Sequence, residues 1–266
     1  MEPAKNNDAG IVVTTEFVRH RNALLARARM TDLFVDYHLH IADSGTQIDG
    51  AHAQLFKQML TAFVLHSASR PRVEMAAWTA SLQQPRLNLF VTGDNETGAV
   101  AGRVFTENVK PGEMNLLYVE TVRRNDPLRR SVVSFQQADL FFAAATYYQD
   151  SEQRPARFFD LGDEEFALLA AHPDCDLAWL EGLDTGAVRT LAEHETLALI
   201  ERRKTSWRCG CNERRMLEIL APSMRANPEE LFAGEDSLRM ECPRCGWRYR
   251  IGREALEAYV AANPGA

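Results

Sequence analysis

Apolar positions along this chain follow two periods, and the changes between them outline its elements. Phe17, Leu24, Leu25 and Ala28 share one face of a helix that Thr14 or Thr15 can cap, whereas residues 33–41 (LFVDYHLHI) alternate at period two and predict a strand. Leu55, Met59, Leu60 and Phe63 predict a buried helical face. A β-rich block follows, starting at residues 72–80 and continuing through NLFVTG and AVAGRVF, which the turn-rich DNETG joins as a hairpin. Residues 115–121 and 131–135 add strands. Residues 136–149 read as a helix with Leu140, Phe141, Ala144 and Tyr148 on one face, and Pro155 prevents its continuation. Three further helical pieces are predicted in residues 163–206: DEEFALLAA, DLAWLEGL and AVRTLAEHETLALIERR.

The tail is patterned as tightly. Asn212 can cap a short helix carrying Met216, Leu217, Ile219 and Leu220, which Pro222 stops. Asn227-Pro228-Glu229-Glu230 supplies an N-cap, a proline at the first helical position and a glutamate three residues after the cap. Residues 237–241 and 247–251 alternate as strands around CPRCG, and 254–262 form a closing helix. The prediction is therefore an α+β fold: an α+β core (1–162), a helical linker (163–206) and a small C-terminal four-cysteine domain (207–266). Residues 1–13 begin polar and are expected to fray.

Composition adds limits. With 266 residues, 45% of them hydrophobic, the chain can bury a core without staples. It lacks both a signal-like apolar start and a run of about 18 apolar residues, so neither secretion nor membrane insertion is expected, and the expected location is cytoplasmic. The net charge of -7 is uneven: residues 1–200 carry 18 Lys+Arg against 27 Asp+Glu, and residues 201–266 carry 12 against 10. A tail at +2 falls short of the excess that phosphate-backbone binding needs, so no nucleic-acid partner is expected.

Four of the five cysteines sit in the tail, as C-x-C (Cys209, Cys211) and C-x-x-C (Cys242, Cys245), with 30 residues between the pairs. In a reducing compartment such a cluster is a metal site or a redox device rather than a disulfide framework. Two ligand pairs on tight turns suit tetrahedral coordination, and four thiolates with no nearby histidine favour zinc or an iron-sulfur cluster over hard cations; zinc is the expectation, one Zn2+ per chain. Pro243 stiffens one turn, and Gly246 can take the positive φ that aims its amide at a sulfur. C-x-C can close only a small, strained disulfide ring that forms and reduces readily. Arg208, Arg214, Arg215, Arg244 and Arg248 lie near these cysteines in sequence, and positive charge favours thiolate.

The combination of CGC, a 30-residue spacer, CPRCGWRYR and an acidic amphipathic closing helix resembles the zinc domain of the heat-shock protein 33 family of redox-regulated holdase chaperones. YYQDSEQRP (147–155) is similar to the family's helix ending in a Ser-Glu-Gln-x-Pro turn, and HETLALIERRKTSWRC (194–209) to its approach to the first cysteine. The resemblance implies a mechanism. Reduced, the four cysteines hold zinc and the protein is idle. Oxidation pairs Cys209 with Cys211 and Cys242 with Cys245, expels the metal, unfolds the tail and loosens the linker. The chain then captures unfolded or misfolded client proteins without ATP, with a homodimer on oxidation as a further expected assembly. The chain departs from the family in residues 162–193 and in lacking an obvious glycine-rich core segment. The rival reading is a zinc-ribbon protein that binds nucleic acid or a protein partner through a purely structural metal.

Other candidates are weaker. Cys175 is flanked by Asp174 and Asp176, which disfavour its thiolate. His38 and His40 could pair on one strand face, but simple alternation explains them. His194-Glu195 lacks the second histidine of a zinc-protease motif, and GDNETG lacks the Gly-Lys-Ser/Thr of a phosphate loop, so no enzyme is predicted. The Arg123-Arg124 and Arg129-Arg130 pairs flank residues 125–127 and predict a solvated loop. Phe158, Phe159, Phe166, Trp179 and Trp207 are read as core residues, although a holdase needs apolar surface that it can uncover.

Overall fold

The computed structural model describes residues 10–124 and 126–264. The chain opens with a hairpin, β1 (Ile11–Val18) and β2 (Ala23–Arg29), followed by α1 (Thr31–Asp43) and α2 (Gly50–Ala68). Next come β3 (Glu74–Gln83), β4 (Arg86–Asp94), β5 (Ala99–Phe105), β6 (Asn115–Arg123), β7 (Arg129–Phe135) and α3 (Leu140–Asp150). A second hairpin, β8 (Ala156–Gly162) and β9 (Glu165–Ala171), leads to α4 (Leu177–Gly182), α5 (Thr185–Arg189), α6 (Leu191–His194) and the long strand β10 (Leu197–Trp207). The tail comprises α7 (Glu213–Ala226), α8 (Pro228–Phe232), β11 (Ser237–Glu241), β12 (Arg248–Gly252) and α9 (Arg253–Ala262).

Ten strands form one sheet in the order β7-β6-β3-β4-β5-β10-β1-β2-β9-β8, and β11 pairs with β12 in a separate ribbon. Neighbours in the large sheet are antiparallel except β10 and β5, which meet in parallel through Ser206 opposite Ala99 and Trp207 opposite Val100. Along the rest of its length β10 pairs antiparallel with β1, from Ile11 opposite Thr205 to Val18 opposite Leu197. β10 therefore joins two half-sheets, and its last residue lies two positions before Cys209.

Side-chain alternation on the central strands supplies two cores. Leu24, Ala26 and Ala28 of β2, with Leu168 and Ala170 of β9, face α1, α2 and α3, where Tyr37, Phe56, Phe63 and Tyr148 are buried in one cluster with Trp78 of β3. Ala23 and Leu25, with Ala167, Leu169 and Ala171, face Leu180, Leu183, Val188 and Leu191 on the other side. Fully burying a side chain of leucine or phenylalanine size stabilises by about 1.5–3 kcal/mol, so these cores dominate the energetics. The tail has its own smaller cluster around Met216, Met224, Phe232, Ile251 and Leu256.

The α+β class is as predicted, but several local assignments are corrected. The predicted first helix is the β1–β2 hairpin, whose turn places His20 and Asn22 at positive φ. Residues 33–41 lie in α1, not in a strand: Leu33, Phe34 and Tyr37 are buried at helical spacing while Val35 and Leu39 are 50% and 57% exposed. EFALLAA was predicted helical and is β9. Its run is continuously apolar because it is covered on both faces, a pattern that a buried helix shares. The third helical piece divides into α5, α6 and β10. Pro222 does not stop α7, which continues through it to Ala226.

Residues 11–13 belong to β1, while residues 1–9 of the expected frayed terminus lie outside the described residues. Asn125 of the predicted solvated loop is outside them too. Asp126 and Pro127 are exposed, but Arg123 turns inward to Glu74 at 2.9 Å.

Candidate metal centre

Two turns carry the four cysteines. After Trp207, the backbone N–H of Arg208 donates to Val100 O on β5 (2.8 Å), which fixes the approach to Cys209. Gly210 sits at φ +70° between Cys209 and Cys211, and Asn212 then caps α7 by accepting from the N–H of Arg215 (2.9 Å). The second turn joins β11 to β12. Cys242 N donates to Trp247 O (2.8 Å), and Gly246, at φ +76°, donates its N–H to Cys242 O (2.9 Å). The left-handed conformation is one that a residue with a Cβ adopts only under strain.

Folding brings the pairs together. The four Sγ atoms lie within 4.8 Å of one another, with Cys209 to Cys242 at 3.6 Å and Cys211 to Cys245 at 3.5 Å. These separations are too long for disulfides and bracket the about 3.8 Å edge of a sulfur tetrahedron built on Zn–S bonds of about 2.3 Å. The donor set and spacing fit a soft, tetrahedral cation. All five cysteines are free, and Cys175 lies outside the group.

The thiols act strongly on one another. Hydrogen bonds from Cys209, Cys211 and Cys245 hold the Cys242 thiol well below its ordinary range, and a hydrogen bond with Cys209 pulls Cys211 down to about 7. Hydrogen bonds with Cys211 and Cys242 push Cys209 well up, and hydrogen bonds with Cys209, Cys211 and Cys242 do the same to Cys245, with burial and neighbouring negative charge adding to both. Four thiolates at this spacing call for a compensating cation.

The nearby arginines mostly hold backbone. Arg215 donates to Gly210 O (3.1 Å), Arg244 to Cys209 O (3.4 Å) and Arg208 to Thr97 O (3.2 Å). Arg248 bonds Glu241 (3.1 Å) and Gly45 O (3.2 Å).

The C-x-x-C turn is docked on the core by residues that sequence patterning did not single out for this role. Arg103 of β5 donates to Cys242 O (3.1 Å) and to Glu241 (2.8 Å). His40, in the last turn of α1, bonds Cys245 O through Nε2 at 2.8 Å, with its ring between Trp207 and Trp247. Burial lowers the His40 pKa, and its partner is a carbonyl rather than a metal. His38 and His40 are two residues apart on a helix, so they do not share a face.

The remaining candidates are structural. Burial, then Asp176, raises the Cys175 pKa, and Glu195 accepts from Arg21 (2.9 Å). Phe159 is buried; Phe158, Phe166 and Trp207 pack against the larger core, and Trp179 against the smaller one.

Comparison with known proteins agrees with this geometry. The family model described as Hsp33 protein matches residues 163–252. A 33 kDa chaperonin of Nitrosococcus oceani is 24% identical over 149 residues, spanning 48% of this chain and about half (52%) of that protein's length. A 33 kDa chaperonin of Azotobacter vinelandii is 25% identical over 217 residues, 68% of this chain and 73% of the relative. The crystal structure of the Thermotoga maritima 33 kDa chaperonin superposes with a TM-score of 0.73 at 14% identity, covering 97% of this chain and 100% of the other.

Proposed function

Because this chain belongs to the Hsp33 family, we propose that it is a redox-regulated chaperone that holds unfolding proteins without ATP, idle when its cysteines are reduced and active when they are oxidised. The observation that carries the proposal is the convergence of four thiols from two distant turns in a tail whose own apolar core is small. Bound zinc would crosslink the C-x-C and C-x-x-C turns through Cys209, Cys211, Cys242 and Cys245 and supply folding free energy to the tail. Five buried side chains do not sustain a domain of this size alone, so stability must follow the state of the sulfurs.

Peroxide converts two thiols into a disulfide and is itself reduced to two waters. On the family pattern Cys209 pairs with Cys211 and Cys242 with Cys245, and the donor set is gone. The released unit is then residues 207–266, the stable core lies within 1–162, and residues 163–206 couple them. Within that coupling segment β9 is hydrogen-bonded along both edges, to β2 and β8, so loosening should fall on α4–α6 and β10. Trp207 rests on Tyr37 and Phe56 with ring centroids 5.3 and 6.1 Å away. Lifting β10 would bare those apolar rings to a client.

The test is suppression of the aggregation of a heat-unfolded client without nucleotide, using reduced protein, peroxide-treated protein and treated protein returned to thiol reductant. Activity confined to the oxidised state and reversed by reduction supports the proposal. Equal activity in all three states refutes the switch.

A further inference from the structure

The last turn of α2 ties several elements together through its carbonyls. Ser67 O accepts from Arg203 Nη1 of β10 and from Asn95 Nδ2 of the β4–β5 turn, each at 3.1 Å, and Ala68 O accepts from Thr15 Oγ1 of β1 at 3.4 Å. Such carbonyls are the ones that a helix end leaves without partners of its own. Arg203 is aimed by Glu201 (2.7 Å), so β10 is pinned to α2 near its middle as well as through its ladder with β1.

His66 of this turn is fully buried. Ser69 Oγ donates its proton to His66 O at 2.7 Å, so it must accept from Tyr148 Oη at 3.2 Å. Tyr148 then has no proton left for His66, and the imidazole Nδ1 is the donor across their 3.0 Å contact. The neutral ring therefore carries its proton on Nδ1. Nε2 is left as a bare lone pair, buried and without a partner, as is Ser67 Oγ of the next residue. The titratable and charged groups around the ring are Arg70 at the end of α2, Glu74 of β3, Tyr147 and Tyr148 of α3, and Glu152 and Arg154 just after α3; the Trp78 indole of β3 lies 5.1 Å away between ring centroids. Glu74 and Glu152 are both engaged by Arg70, at 3.1 and 2.7 Å. Burial, then Arg70 and Arg154, hold the His66 pKa well below its ordinary value.

We propose that the last turn of α2 is an acid-sensitive catch on β10: a proton added at His66 Nε2 finds no acceptor in its buried site, opens the turn and releases Ser67 O from Arg203. The catch is a second hold on β10 that involves neither sulfur nor zinc, and its functional weight rests on the reading above in which β10 lifts. The ring is neutral in the closed turn and has an ordinary pKa of about 6.5 once exposed. The closed turn is therefore at full strength above pH 6.5 and weakens as pH falls below it, by up to about tenfold in the opening equilibrium per pH unit, until the folded pKa is reached. Between pH 7.5 and 5.0 opening should rise about thirtyfold.

The experiment measures amide hydrogen exchange of the reduced, zinc-loaded full chain at pH 7.5 and 5.0, corrected for the intrinsic pH dependence of exchange. Residues 66–69 and 201–205 should show the thirtyfold rise in opening, and β6 should not. His66→Gln, neutral at both pH values, should hold the rise below about threefold, while acid acting on the thiolates would move both proteins alike. Arg203→Gln should keep the response of residues 66–69 but leave residues 201–205 already open at pH 7.5. Nitrogen NMR of the His66 ring needs no variant and should find Nε2 unprotonated at pH 7.5. An equal rise in wild type and His66→Gln, no rise in wild type, or a proton on Nε2 at pH 7.5 would overturn the inference. These readouts use neither oxidant nor client, so their failure leaves the redox-switch reading standing, and failure of oxidised protein to capture a client leaves the catch standing.

Discussion

Serine in place of any one of Cys209, Cys211, Cys242 or Cys245 should reduce the zinc content of the purified reduced protein from one per chain to well below half, because a neutral hydroxyl is a poor substitute for thiolate. Cys175→Ser, outside the cluster, should leave it unchanged; elemental analysis of the five variants decides. Elsewhere the most exacting buried group is Glu74, 1% exposed and accepting from Arg70 at 3.1 Å and Arg123 at 2.9 Å. Glu74→Ala takes the carboxylate from Arg123 and leaves Arg70 with Glu152 alone (2.7 Å), and should cost about 3 kcal/mol at neutral pH, measured by urea unfolding. A loss under about 1 kcal/mol would show that solvent screens the site. Residues of the centre were legible in unequal measure. The four clustered thiols announce themselves by residue type and local spacing, whereas His40 and Arg103 act on carbonyls 205 and 139 positions away, and no local pattern marks a docking residue.

Among the elements, β10 has the most to do with the proposed switch. It closes the gap between the half-sheets, yet its hold on β5 is two residue pairs, and its end runs directly into Cys209. Oxidation should therefore raise hydrogen exchange through residues 207–264 and through β10, while β3, β4 and β6 stay protected. Protection of β10 in a fully oxidised, client-binding sample would place the capture surface in the unfolded tail instead. The elements that sequence misassigned share a physical cause. β9 is buried on both faces and so lost the alternation that marks a half-exposed strand. In α1 the apolar residues fit period two and helical spacing at once, and only the packing of Leu33, Phe34 and Tyr37 against α2 and the sheet chooses the helix. Capped tail elements fared better: Asn212 and Asn227 cap where their side chains predict, because a cap is a contact within four residues.

At the scale of the whole molecule, strand order was beyond sequence reading, since the β10–β5 pairing joins segments about a hundred residues apart and leaves no local signal. That same long-range closure links the sulfurs to the apolar core: β10, Trp207, Cys209 and the docked C-x-x-C turn form one continuous path. Among the described residues no helix is long and apolar enough to cross a membrane. The central claim is that the state of the four sulfurs and client capture are a single event seen from two ends of this path. The most direct measurement follows both in one sample: zinc release reported by a chromogenic chelator and suppression of client aggregation by light scattering, during peroxide treatment with mild heating and without nucleotide. The account predicts that capture rises only as zinc is released, and that thiol reductant with added zinc reverses both. Capture at full strength before zinc leaves, or complete zinc release with no capture, would contradict it.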